Sequence, residues 1–155
     1  MSFFLNPKIV KKGDGGCVAE YAKVAAAGSS SFLKGELVYL NAGVATVVAS
    51  NGVVVYGIAQ EDGPVTATTK PSLTVEIIRP EDEVEITCDA TVTYAEVGVK
   101  YAVLRTSNVH YCDTTDTSND AMTIVRPVLD LSGAFTTKAI VHFLPTVCQS
   151  AYQVG

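Results

Sequence analysis

The chain has 155 residues and a formal net charge of −5, and it is 48% hydrophobic but only 17% charged. This length and composition predict one folded domain with its own core and argue against extended disorder. An acidic chain without a basic stripe argues against a nucleic-acid-binding protein. No apolar run has the length of a membrane span, and Phe3–Leu5 is too short for the core of a secretory signal.

Residues 1–16 predict an extended N-terminal arm, because they contain a proline and three glycines and show no sustained hydrophobic period. Their apolar side chains are unusual for a disordered tail. We therefore expect the arm to dock either on its own domain or on a neighbouring molecule. The residues expected to make a partner contact are Phe3, Phe4, Leu5, Ile9 and Val10.

Two charged clusters stand out, and we expect both to lie on the solvated surface. The basic cluster is Lys8, Lys11 and Lys12, within the expected arm. The acidic cluster lies in residues 76–89, where six carboxylates are opposed only by Arg79.

Residues 17–145 predict a domain built almost entirely of strands, since valine, threonine, alanine and glycine outnumber the strong helix formers. Short alternating segments between turn signals predict the following strands: 17–24, 37–40, 44–49, 53–59, 72–78, 84–93, 100–104, 109–112, 122–128 and 138–144. About ten short strands, with turns about every 8–12 residues, are typical of an all-β fold, either a small β-barrel or a β-sandwich. Residues 146–155 are expected to form a C-terminal tail.

Three local patterns predict specific corners of the fold. The Asn51-Gly52 dipeptide predicts a type I′ hairpin, because both residues tolerate the positive φ angles of that turn. Thr93 and Glu96 fit a capping box, which predicts one helical turn with Gly98 just beyond it. Pro127 predicts an edge or a bulge within its strand.

The stretch YCDTTDTSND, residues 111–120, is the richest in oxygen ligands. Its acids Asp113, Asp116 and Asp120 do not fit a calcium-binding EF-hand loop. Counted from Asp113, position six is Ser118 rather than glycine and position twelve is Ile124 rather than glutamate. Aspartate, threonine, serine and asparagine bond their own backbone in turns, so we expect a structural loop here.

The remaining residues do not form a recognisable catalytic or metal-binding motif. His110 and Cys112 share a strand face and could join His142, but no second pair is placed to complete a zinc tetrahedron. No G-x-S-x-G nucleophile motif, Walker loop or dinucleotide loop occurs, and no arginine is followed by serine. We expect a protein with no catalytic residue, metal or cofactor. The four cysteines lack metal spacing, and Cys88 falls in the apolar series of its strand, so it is expected to be a core thiol.

Two segments resemble a known family. FLKGELVYLNAGVATVV (residues 32–48) followed by VVYGIAQEDG (residues 54–63) is similar to the opening module of tailed-bacteriophage head decoration, or cement, proteins. In that module a GELV-type strand leads to a hairpin that ends in GIA-x-ED. A second stretch, from YAEVGVKYAVL (residues 94–104) through YCDTTDTSNDAMTIVRPV to KAIVHFL (residues 138–144), is similar to the C-terminal half of the same group.

The resemblance implies a non-enzymatic structural virion protein that binds the outer surface of the assembled capsid and stabilises it. It implies the major capsid protein as partner, a homotrimer or sometimes a homodimer, and a place on the capsid exterior after assembly in the host cytoplasm. No nucleic acid or membrane partner is expected. The alternatives are a phage tail or fibre component or another β-rich adhesion module and, more remotely, a trimeric β-fold nucleotide hydrolase of the dUTPase type.

Overall fold

A computed structural model describes residues 6–13, 19–25, 31–63 and 72–152. These residues form eleven strands: β1 (Lys8–Lys11), β2 (Tyr21–Ala25), β3 (Leu37–Asn41), β4 (Val44–Val47), β5 (Gly57–Ala59), β6 (Ser72–Ile77), β7 (Glu83–Cys88), β8 (Lys100–Thr106), β9 (Val109–Asp113), β10 (Met122–Leu129) and β11 (Phe135–Phe143). Two short 3-10 helices, Tyr94–Glu96 and Gln149–Tyr152, are the helical elements of the described ranges. The predicted all-β fold of short strands is therefore confirmed.

The first barrel is closed by β2, β4, β3, β5 and β6 in that order. Its ladders are antiparallel except between β2 and β4, where a single parallel pair, Ala25 with Val44, closes the ring. Alternate residues of β6 face inward, so that Leu73 and Val75 are fully buried beside Phe32. This alternation follows from the two-residue period of a strand with one face on the core.

The second barrel is closed by β7, β11, β10, β8 and β9, with β9 returning to pair with β7. The closing seam is parallel and short, joining Thr87 to Tyr111 and Cys88 to Cys112. Strand β1 adds to β7 beside this seam, in antiparallel register with Ile9 opposite Val84.

The two barrels share the larger of two hydrophobic cores. The larger cluster of buried side chains takes Leu37 and Ile58 from the first barrel and Val103 and Phe143 from the second. The C-terminal segment enters this cluster through Cys148. Backbone bonds also cross the junction, for example from the Asn51 N–H to the Val103 carbonyl at 2.8 Å. The barrels therefore pack as one unit.

The predicted type I′ hairpin at Asn51-Gly52 is wrong. The Asn51 φ angle is +64°, but Gly52 is not among the residues with positive φ, and β4 does not pair with β5. The reason is a non-local competitor: Val55 forms a parallel bridge with Cys148 instead of continuing a hairpin. The two-residue turn of this region lies at Ala42-Gly43, whose φ angles are +50° and +83°.

Two other local predictions are confirmed. The Thr93 hydroxyl accepts the Ala95 N–H at 3.2 Å, and the Glu96 carboxylate accepts the Thr93 N–H at 2.7 Å, which completes the capping box. Gly98 follows with a φ of +85°. Register shifts flank Pro127 on both sides, so β10 carries bulges around the proline as expected.

Candidate functional site

The N-terminal segment lies against the acidic segment of the same chain. Strand β1 pairs with β7, so that Lys8 reaches Glu85 at 3.0 Å and Lys11 reaches Glu83 at 3.8 Å. Both lysine side chains remain more than 60% exposed. The two charged clusters thus offset each other across a strand pair, which the sequence does not indicate because they are about 70 residues apart.

The expectation of a solvated surface is wrong for Lys12 and Asp82. The Lys12 Nζ lies 2.5 Å from the Asp82 carboxylate, and the two side chains are 5% and 1% exposed. The carboxylate also accepts the backbone N–H groups of Gly13 and Arg79, each at 2.9 Å. Burial of either charge alone is costly, so it is the pairing and these extra hydrogen bonds that allow both to leave water.

The residues expected to contact a partner divide into two groups. Phe3, Phe4 and Leu5 lie outside the described residues. Ile9 is half-buried and packs against the shared core, whereas Val10 is 45% exposed. Neighbouring strand residues project to opposite faces, which explains this difference.

His110 lies fully buried at the junction of the two barrels. Its Nδ1 accepts the Leu37 N–H at 3.2 Å, and its Nε2 lies 2.7 Å from the Val48 carbonyl. This pair of contacts assigns the neutral tautomer with hydrogen on Nε2. The imidazole therefore bonds the backbone of the first barrel from a strand of the second.

Glu36 and Arg105 lie beside His110. The Glu36 side chain is completely buried, and its carboxylate receives Arg105 at 2.6 and 3.2 Å and the Leu33 N–H at 2.7 Å. The Glu36 Oε1 is 3.6 Å from the His110 Nδ1. Burial lowers the pKa of His110, opposed by the Val48 carbonyl and the Glu36 charge and reinforced by Arg105. This polar cluster links the two barrels, and no hydrophobic period or motif in the sequence predicts it.

The histidines and cysteine considered for zinc are separated by their own partners. The His142 Nδ1 bonds the Asp82 carbonyl at 3.1 Å, while His110 bonds the first barrel and Cys112 pairs in register with Cys88. Within residues 6–13, 19–25, 31–63 and 72–152, no group of three or more His, Cys, Asp or Glu side chains is arranged to hold a metal ion. Cys88, Cys112 and Cys148 are buried free thiols, as expected for Cys88.

Two of the three aspartates of residues 111–120 bond their own loop, whereas the Asp120 Oδ1 is buried without a hydrogen-bond partner among the described residues. Asp113 accepts the N–H and hydroxyl of Thr115, and Asp116 accepts the N–H groups of Ser118 and Asn119. The hydrogen bond from the Asn119 side chain is the largest cause of a lowered Asp116 pKa. The expected turn chemistry is confirmed.

An exposed apolar surface lies at the hairpin end of the second barrel. We call it the distal patch, and it comprises Tyr94, Val97, Leu129, Leu131 and Phe135. The rings of Tyr94 and Phe135 meet edge to face at a centroid distance of 5.2 Å. Leu129 pairs with Phe135 across the hairpin, and Leu131 at its turn is fully exposed.

The distal patch lies far from the first barrel. Strand β11 begins at Phe135 in the patch and ends at Phe143 in the shared core, a span of about 27 Å at the usual rise of a strand. The signal that could have identified it is Leu129 and Leu131 flanking Asp130 in a turn, where polar residues are normal. A group of large exposed apolar side chains at one end of a barrel is typical of a protein-binding surface.

Comparisons with protein-family models, with curated proteins and with solved structures found no match for this chain. No helix among the described residues is long and apolar enough to cross a membrane.

Proposed function

We propose that this protein is a non-enzymatic structural virion protein that binds the outer surface of an assembled phage capsid and stabilises it. The observation that carries the proposal is the distal patch, an exposed apolar surface at one end of the double barrel. The resemblance of residues 32–48 and 111–128 to capsid decoration proteins supplies the kind of partner. The major capsid protein is the partner proposed, and the copies associate as trimers or dimers.

Stabilisation follows from mass action. A protein that binds the assembled shell better than its separated subunits shifts the equilibrium toward the shell. Contact with several capsid subunits at once adds avidity without requiring a tight single contact. The net charge of −5 suits the capsid exterior, because packaged DNA repels an acidic protein.

The N-terminal segment is a second proposed contact. Val10 faces outward on strand β1, which is the edge strand of its sheet. Edge strands accept an added strand from a partner, so this edge, with Phe3–Leu5 preceding it, is a place for a capsid segment to pair.

The test uses heads that lack this protein, to which purified protein is added back. Wild-type protein should bind at many copies per head and raise the temperature at which heads disrupt. Leu131→Ser should weaken binding by about tenfold or more, because it replaces the most exposed apolar side chain of the patch by a polar one.

Leu33→Ser is the matched control, because Leu33 is 39% exposed on the first barrel, away from the distal patch. It should bind as wild type does. Absence of wild-type binding would overturn the proposed function, and recovery at only a few copies per particle would favour a tail or fibre component. Equal binding of the two variants would remove the distal patch from the interface.

A further inference from the structure

Cys88 and Cys112 are direct neighbours at the seam that closes the second barrel. They form the last of the two parallel pairs between β7 and β9. Residues in register on parallel strands project to the same face, and both thiols lie in the shared core at 3% and 0% exposure. The register therefore places the two cysteine side chains next to each other across the seam.

The spacing of this pair fits a disulfide. Neighbouring strands lie about 4.7–4.9 Å apart, and bridged cysteines have Cα separations of about 4.4–6.8 Å. Neither strand needs to move along its partner, because Cys88 and Cys112 are already in register.

We propose that Cys88 and Cys112 are an oxidisable pair whose disulfide covalently closes the second barrel. The inference does not depend on capsid binding. A bond here would join the two strands at a seam of only two ladder pairs, as few as in any ladder of that barrel, and would enclose residues 88–112 in a loop.

The oxidant is a small disulfide such as oxidised glutathione. One cysteine thiolate attacks a sulfur of the oxidant, which forms a mixed disulfide and releases one glutathione thiolate. The second cysteine thiolate then attacks the protein sulfur of the mixed disulfide and releases the second glutathione. The two protein thiols lose two electrons and two protons, and the oxidant leaves as two reduced thiols.

The reaction is gated by opening of the seam. Contact with Cys88, together with burial, raises the pKa of Cys112, so the attacking thiolate is scarce while the barrel is closed. Reducing cytosol keeps such a pair as thiols, whereas an oxidising exterior converts it slowly. The oxidised protein, with the Cys88–Cys112 disulfide, is then more stable than the reduced protein.

The experiment equilibrates folded protein with oxidised or reduced glutathione, blocks the remaining thiols and digests the chain with trypsin. Two of the four cysteines should lose their thiols, and the intact mass measured before the thiols are blocked should fall by two hydrogen atoms. Cleavage after Lys100 and Arg105 separates the two cysteines, so a linked peptide pair identifies the bond. The melting temperature should rise by about 5–10 °C.

Cys148→Ala is the control that should oxidise as wild type does, since Cys148 lies outside the seam. Cys88→Ala should yield no linked peptide pair. Four free thiols after full equilibration, a stable glutathione adduct on Cys88 or Cys112, or a bond between Cys17 and Cys148 would each overturn the proposal.

Discussion

Lys11 and Lys12 are adjacent in the chain and carry the same charge, yet they lie in opposite environments. The Lys11 side chain is 63% exposed, with Glu83 at 3.8 Å, whereas that of Lys12 is 5% exposed, with Asp82 at 2.5 Å. Lys12→Met should lower the free energy of unfolding by about 3–5 kcal/mol, because it leaves the Asp82 charge buried without its partner.

Lys11→Met is the matched control and should cost less than about 1 kcal/mol, the usual value of an exposed ion pair. Urea denaturation followed by circular dichroism measures both variants. Equal losses in Lys11→Met and Lys12→Met would contradict the assignment of the buried pair.

His110 makes stability depend on pH. Burial lowers its folded pKa below the ordinary value of 6.5, so the unfolded chain binds the proton more readily than the folded protein. The stability that neutral His110 contributes is fully present above pH 6.5, and it is lost as the pH falls from there toward the folded pKa. The free energy of unfolding should therefore decline below pH 6.5. Urea denaturation at a series of pH values between 5 and 8 measures this decline.

The variant His110→Gln isolates this effect. It should be less stable than wild type at every pH, since the bonds to Leu37 and Val48 change, but it should lose the decline that begins near pH 6.5. His142→Gln, which removes the other histidine of the chain, should keep the decline. If the stability of His110→Gln declines below pH 6.5 as that of the wild type does, the decline arises from other titratable groups.

At the scale of elements, the β3–β4 hairpin carries strain at Ala42. Its φ of +50° is a left-handed conformation that costs a side chain with a Cβ about 1–2 kcal/mol. Glycine adopts this φ freely but loses more entropy on folding. Ala42→Gly should therefore raise the free energy of unfolding by about 1 kcal/mol, measured by urea denaturation.

The same substitution at Ala95 supplies a control of opposite sign. Ala95 is exposed within the 3-10 helix Tyr94–Glu96, where the helical backbone suits alanine. Ala95→Gly should lower stability by about 0.5–1 kcal/mol. If both substitutions destabilise, the turn at Ala42 is not strained.

The sequence predicted elements whose cause is local and missed those whose cause is distant. Strand β6 was predictable because its buried and exposed residues alternate, and the capping box because Thr93 and Glu96 are three apart. Asn51-Gly52 has strong hairpin propensity, but pairing of Val55 with Cys148 overrides it.

The sequence also does not predict how the barrels close or which buried charges pair. The parallel seams of both barrels join strands that are not consecutive in the chain. Turn residues predict only hairpins between consecutive strands, so they do not predict these seams. The Lys12–Asp82 pair and the junction formed by Glu36, Arg105 and His110 depend on burial that only tertiary packing creates. The distal patch depends on which face of a hairpin remains uncovered.

For the whole molecule, the shared core decides how the protein unfolds. Leu37 and Ile58 of the first barrel pack in one cluster with Val103 and Phe143 of the second. Neither barrel can separate without exposing this cluster and leaving His110 without its backbone partners. Parting the barrels therefore exposes apolar surface and breaks buried hydrogen bonds at the same time, which favours a single cooperative transition.

Coincident unfolding of the two barrels is the expected outcome. Amide signals of β3 and of β11, followed by NMR through a urea titration, should disappear with the same midpoint. Phe32→Ala truncates a side chain in the separate core of the first barrel and should cost about 3–5 kcal/mol. If the two barrels unfold together, Phe32→Ala lowers the urea midpoints of the β3 and β11 signals equally. If only the β3 signals shift and those of β11 stay, the barrels unfold independently and the shared core does not couple them.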